Sequence, residues 1–187
     1  YVASTIWETK MNHQLQSSDF AVLYRTNAQS RAIEDALRKR DIPYRIYGGL
    51  SFYQRKEIKD VTAYLRLILN TADEEALKRV INYPARGIGQ TTVDRLIVAA
   101  NASGRTIFDI MKDIDNVTIN INNGTKAKLR DFVTLIESYK VMNQTANAFD
   151  LAEHVTRTSG LIRELGKDGT PEGVTKLDNV QELLNGI

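Results

Sequence analysis

The segment from residue 84 to residue 92, PARGIGQTT, combines the residue types that can hold a phosphate group without reading a base. It places a Gly-Ile-Gly turn between two predicted helices, as in the hairpin of a helix-hairpin-helix motif. Glycines let backbone amides approach a phosphate oxygen closely, and hydroxyl and guanidinium groups add donors and charge. The candidate nucleic-acid contacts in this segment are Arg86, Gly87, Ile88, Gly89, Thr91 and Thr92, with Arg95 adding further charge.

A second candidate segment runs from Tyr24 to Arg31, where a predicted strand ends and a predicted helix begins. This edge of a parallel α/β sheet is the usual place for a ligand. Asn27 and the first-turn amides of the helix could bind phosphate oxygens, and Arg25 and Arg31 could supply charge. The alternative is that Asn27 only caps the helix and that both arginines are solvated. The residues alone leave both interpretations open.

Aromatic and basic residues alternate between Phe52 and Asp60, a composition suited to stacking on bases or bracing phosphates. Core packing is the competing role, with Phe52 as a hydrophobic anchor and Glu57 pairing with Arg55 or another basic neighbour. The pattern favours the structural role. The Gly-Gly pair at 48–49 likewise predicts a tight turn more than a phosphate cradle.

Catalytic motifs are missing from the sequence. It contains no GxxxxGK[ST] phosphate loop, no GxSxG elbow and no HExxH pair, so the usual tools for nucleotide, acyl or metal-assisted hydrolysis are not present. There are no cysteines, and the two histidines, His13 and His154, are far apart in sequence. We therefore predict no metal site.

The pattern of apolar residues changes near residue 70. Before it, strands at 19–25 and 44–47 alternate with helices at 28–40 and 54–70, which is the rhythm of a parallel α/β sheet. After it, helices are predicted at 73–82, 90–102, 106–112, 124–143 and 147–157 and from about 173. The expected fold is mainly α, with a partial parallel α/β segment at 1–70 and an all-α domain at 71–187. Since two strands do not make a stable sheet, the first part is expected to be incomplete.

Positive charge is concentrated in two stretches, although the net charge is only +2. Residues 1–70 contain eleven Lys and Arg against seven Asp and Glu, and residues 78–105 contain five against one, so each stretch carries +4. Such clusters are either solvated helix faces or nucleic-acid contacts. No run approaches the roughly 18 apolar residues of a membrane span and no signal peptide is recognisable, so a cytoplasmic protein is expected.

Three ordered stretches resemble superfamily 1 DNA helicases of the UvrD, Rep and PcrA type. They are FAVLYRTNAQSRAIEDAL, IPYRIYGGLSFYQRKEIKDVTAYLRLILN and RVINYPARGIGQTTVDRL, and LDNVQELL near the end resembles the end of the same inserted region. Residues 106–170 match only in helical character. The resemblance implies that residues 1–70 are part of the second RecA-like motor domain (2A). Residues 71–187 would be the helical accessory subdomain (2B), with a helix-hairpin-helix-like GIG turn.

The resemblance also implies roles for residues. Arg25, Asn27 and Arg31 would lie along the tracked single strand, and the GIG turn with Thr91 would meet the duplex backbone. The predicted junction between the two domains comprises Arg55, Glu57, Lys59 and Asp60. ATP and Mg²⁺ would serve the intact helicase, whereas this chain, lacking the phosphate-binding lysine and the DExx acids, is expected to bind neither and to be inactive alone.

Two functions are consistent with these patterns. The first is a fragment of an ATP-dependent 3′-to-5′ DNA helicase that contributes contacts to single-stranded and duplex DNA backbone. The second is a non-enzymatic module that regulates the helicase or binds protein partners. A related nuclease-fused helicase is a further possibility for the parent protein.

Overall fold

A computed structural model describes residues 1–25, 27–47 and 51–187, and the side chains of these residues apart from 27 and 28. The described residues are mainly helical, as predicted. No helix among them is both long enough and apolar enough to cross a membrane. The helices are α1 (Val2–His13), α2 (Asn27–Arg38), α3 (Lys56–Leu69), α4 (Glu74–Val80), α5 (Gln90–Ser103), α6 (Ile107–Lys112), α7 (Asn123–Met142), α8 (Ala148–Thr158), α9 (Leu161–Leu165) and α10 (Pro171–Leu184).

Side-chain caps fix where most of the later helices begin. In each case an oxygen of the residue before the helix accepts a backbone N–H from the first turn, which satisfies a donor that the helix itself cannot. The capping residues are Asp73, Thr106, Asn122, Asn147 and Thr170. The helices predicted after residue 70 are confirmed, and their observed bounds agree with the predicted ones to within a few residues. The five-residue α9 was not predicted.

The predicted strands are not observed. Residues 20–24 and 43–47 have no regular secondary structure and form no β-ladder in the part of the chain that the structure describes. The side chains of Phe20, Val22 and Tyr44 instead pack against the helices α1 and α2. An extended segment becomes a strand only when a neighbour pairs with its backbone groups, and a pair of strands is marginal alone. The parallel α/β arrangement is therefore not shown.

The buried apolar residues form two clusters. The smaller one contains Ala3 and Ile6 of α1, Leu37 of α2, and Ile42, which follows α2. The larger one begins at Phe52 and combines α3 with the helices that follow it. The helix α3 lies at its centre, with several side chains fully buried. The change of cluster thus falls between residues 44 and 52 rather than at residue 70, and α3 packs with the helices that follow it. The division into two domains stays a prediction.

Candidate nucleic-acid interface

The GIG turn connects α4 to α5 and is shaped by one asparagine and one buried apolar side chain. The side-chain oxygen Oδ1 of Asn82 accepts the backbone N–H of Arg86 at 2.9 Å and that of Ile88 at 3.1 Å. Ile88 is only 1% exposed and belongs to the larger cluster. Gly87 has a φ of +70°, a conformation that favours glycine. Ile88 is therefore an anchor of the turn rather than a surface contact.

The start of α5 leaves backbone donors facing solvent. Thr92 and Val93 donate their N–H groups to the carbonyl oxygen of Gly89, at 2.9 and 3.3 Å. The N–H groups of Gly89, Gln90 and Thr91 have no acceptor within the described ranges, and all three residues are exposed. Exposed first-turn amides carry partial positive charge and suit an anionic oxygen. The structure therefore gives the GIG turn the donors that a phosphate contact needs.

Arg86, predicted to supply charge for nucleic acid, turns inward. Its guanidinium donates to the carbonyl oxygens of Val80, Pro84 and Ser159 at 3.0, 3.2 and 3.1 Å. It also donates to the hydroxyl of Tyr64 at 2.6 Å. All four acceptor oxygens belong to the protein itself. Arg86 therefore connects α3, the GIG turn and the end of α8.

Tyr64, on α3, provides one of the four oxygens that accept hydrogen bonds from Arg86. Its side chain is fully buried, and its hydroxyl donates to the carbonyl oxygen of Tyr83 at 2.8 Å while accepting from Arg86. Burial raises the pKa of Tyr64 to about 12, so the hydroxyl keeps its proton at neutral pH. The Arg86 guanidinium also lies 5.3 Å from the ring centre of Phe132. The aromatic and carbonyl surroundings explain the inward direction of this arginine.

A different cation lies against the turn. The Nζ atom of Lys128, on α7, is 3.4 Å from the carbonyl oxygen of Gly87. Arg95, the second predicted source of charge, instead donates to the carbonyl oxygen of Asn120. Sequence reasoning missed Lys128 because it stands in the stretch 106–170, where only helical character could be recognised. Its contact with the turn spans 41 residues.

The two arginines at the start of α2 have different surroundings. Arg25 has an exposed side chain, and its backbone N–H donates to Oε1 of Gln29 at 2.9 Å. Arg31 is 8% exposed and donates to the carbonyl oxygen of Glu182, near the end of α10, where a cation is favourable. Arg31 thus holds α2 to α10. The side chain of Asn27, the third candidate for single-stranded DNA, lies outside the described residues.

The four predicted junction residues have three different surroundings. Arg55 and Glu57 are buried, and both bind the side chain of Asn179 on α10. Asp60 pairs with Lys56 on its own helix and with Arg79 on α4, each at 2.7 Å. Lys59 is exposed. Only Arg55 and Glu57 therefore connect α3 to a distant element, while Asp60 fastens α3 to its immediate neighbour.

Replacing Asp60 by asparagine is expected to lower the free energy of unfolding by about 1.5 kcal/mol, because a 3% exposed carboxylate loses its charge beside two cations. Replacing the exposed Lys59 by alanine should change it by less than about 0.5 kcal/mol. Urea unfolding of both variants measures the difference. Equal effects would show that the Asp60 ion pairs do not stabilise the fold.

Comparison with known proteins gives consistent matches along the whole chain. A model of the UvrD-like helicase C-terminal domain matches residues 1–187. The chain is 38% identical over 187 residues to the ATP-dependent DNA helicase PcrA of Leuconostoc citreum, covering 99% of this chain and 25% of that protein. It is 39% identical over 184 residues to DNA helicase II of Haemophilus influenzae, covering 98% of this chain and 25% of that protein. The identity to PcrA of Bacillus subtilis is 34% over 185 residues. The chain spans about a quarter of the length of these relatives.

Proposed function

We propose that this chain, which belongs to the UvrD-like helicase C-terminal domain family, is the part of an ATP-dependent 3′-to-5′ DNA helicase that contacts the DNA backbone. The family resemblance predicted from the sequence is confirmed. The relatives' names state ATP dependence and DNA as substrate. In this proposal ATP and Mg²⁺ are bound by the intact helicase, and this chain alone hydrolyses no ATP.

One observation carries the DNA-contact proposal. The GIG turn presents the free N–H groups of Gly89, Gln90 and Thr91 on exposed residues at the start of a 14-residue helix. Backbone amides at a helix start bind phosphate oxygens without regard to sequence, which suits an enzyme that must move along any DNA. The hydroxyl of exposed Thr91 adds a further donor. Duplex backbone is therefore the proposed ligand of this turn.

The first part of the chain is proposed to contact single-stranded DNA. Exposed Arg25, two residues before α2, supports this assignment, whereas Arg31 is held inside by α10. The predicted contact of Asn27 belongs to the same proposal. The assignments of a partial RecA-like 2A domain and of a helical 2B subdomain belong to the same proposal, as does a cytoplasmic location. The burial of Arg31 against α10 supports a structural role for this residue, and its predicted DNA contact stays a prediction.

Replacing Gly89 by alanine tests the backbone contact directly. A Cβ atom at Gly89 would meet no other atom within 4 Å, and the φ of −76° suits alanine, so the fold should be unchanged. A methyl group there would obstruct the approach of a phosphate to the first-turn amides. We expect duplex affinity to fall about tenfold, which is about 1.4 kcal/mol, by fluorescence anisotropy on a labelled duplex.

The matched control is Gly169 replaced by alanine, since this exposed glycine also leaves 4 Å of free space around an added Cβ. The duplex affinity of the Gly169→Ala variant should equal that of the unchanged chain. If Gly89→Ala binds duplex as well as Gly169→Ala does, the GIG turn is not the DNA contact.

The alternative function is a regulatory or protein-binding module. It is favoured by large apolar side chains on helix surfaces, including Leu69, Val98 and Val141, which are 74%, 68% and 66% exposed. Binding of DNA phosphate weakens steeply with added salt, whereas an apolar protein contact changes little. A chain that binds no DNA even at low salt would support this alternative.

A further inference from the structure

Lys128 is the cation that the structure places against the GIG turn. It lies in the second turn of α7, and its side chain reaches the GIG turn, where Nζ is 3.4 Å from the carbonyl oxygen of Gly87. A second contact in this region comes from Arg95 on α5, which donates to the carbonyl oxygen of Asn120 just before α7. The segment around the start of α7 therefore contacts both the GIG turn and α5.

Gly87 lies close to this ammonium group. A Cβ atom built at Gly87 would lie 2.5 Å from Nζ of Lys128, but the end of this exposed, flexible side chain could move away. The requirement for glycine at this position therefore comes from its positive φ.

The charge of Lys128 is not neutralised by the protein. Within the described ranges no carboxylate lies at ion-pairing distance from its Nζ, whereas two of the other three cations of α7 are paired. Arg130 binds Asp115 at 2.7 Å, and Lys140 binds Glu137 at 3.3 Å. An ammonium group has three N–H donors, and the Gly87 carbonyl can accept only one of them. At least two donors and a full positive charge remain for a ligand.

We propose that Lys128 binds a phosphodiester oxygen of duplex DNA beside the GIG turn and supplies the positive charge that this contact requires. The inference rests on the proposed function and extends it, because Arg86, which was expected to supply the charge, is engaged inside the protein. The lysine acts as a point charge next to the first-turn amides of α5, so it adds affinity without base preference. Its ligand is the DNA strand whose phosphates also approach Gly89.

The test replaces Lys128 by alanine or by arginine in the 187-residue chain and follows duplex binding by anisotropy at several salt concentrations. For Lys128→Ala we expect the slope of log Kd against log salt to fall by about one, with weaker binding at every salt concentration. Lys128→Arg should keep most of the slope because the charge remains. The thermal midpoints of both variants should equal that of the unchanged chain, which excludes a merely structural role.

Lys140→Ala is the matched control, because it removes one positive charge from the far end of the same helix. Its slope should stay unchanged. A Lys128→Ala variant with the slope of the Lys140→Ala control would overturn the inference while leaving Gly89 and the proposed function intact. If the unchanged chain binds no duplex at low salt, the proposed function fails and the role of Lys128 fails with it.

Discussion

Replacing Arg86 by alanine should lower the free energy of unfolding by about 4 kcal/mol. The guanidinium donates hydrogen bonds to the carbonyl oxygens of Val80, Pro84 and Ser159 and to the hydroxyl of Tyr64. Alanine supplies no donor, so these partly buried acceptors lose their hydrogen-bond partners. The loss of contact with the ring of Phe132 adds to the effect.

Urea unfolding measures this effect, and Arg95→Ala is the control. Arg95 is an arginine of the neighbouring helix α5 with an exposed side chain and one carbonyl partner, so its removal should cost less than about 1 kcal/mol. If the two variants unfold alike, the internal bonds of Arg86 contribute little to stability. The guanidinium would then be free for the phosphate contact that the sequence predicted.

The sequence predicted the helices because their signals are local. A capping side chain such as Asp73 or Asn122 acts on an amide three residues away, and the apolar spacing that follows repeats every turn. The two strands were predicted from equally local apolar runs, but pairing depends on a neighbouring backbone. In the described residues Phe20, Val22 and Tyr44 of these runs pack against α1 and α2 without forming a ladder, whereas Leu23 and Tyr47 are 95% and 84% exposed. A local apolar pattern therefore predicts neither strand pairing nor complete burial, because both depend on neighbouring elements.

The candidate site could be located from the sequence, but its cations could not. The glycines and threonines of the GIG turn identify it because their types are tied to backbone geometry. An arginine has no such signature, and its destination depends on distant residues. Arg86 binds a carbonyl 73 residues away, and Arg31 binds one 151 residues away. Lys128 reaches the turn from 41 residues away. The tertiary fold therefore decides which positive charges are held inside the protein and which lies beside the GIG turn.

The same dependence on tertiary contacts applies at the junction between α3 and α10, where Asn179 binds two buried charged groups of opposite sign. Its side-chain Nδ2 donates to Oε1 of Glu57 at 2.7 Å, and its Oδ1 accepts from Arg55 at 2.9 Å. The exposed fractions are 2% for Asn179, 6% for Glu57 and 8% for Arg55. One amide therefore satisfies a buried anion and a buried cation at once, over a sequence separation of more than a hundred residues.

Asn179→Ala is expected to lower the free energy of unfolding by about 3 kcal/mol, because both charged groups lose a hydrogen bond in a region closed to water. Gln181→Ala, on the exposed side of the same helix, should cost less than about 0.5 kcal/mol and serves as the control. A double variant with Glu57→Ala should cost less than the sum of the single changes, because removing the carboxylate also removes the group that the asparagine satisfies. Strictly additive costs in urea unfolding would mean that Asn179 and Glu57 act independently. The observed bond between α3 and α10 would then contribute nothing to holding these helices together.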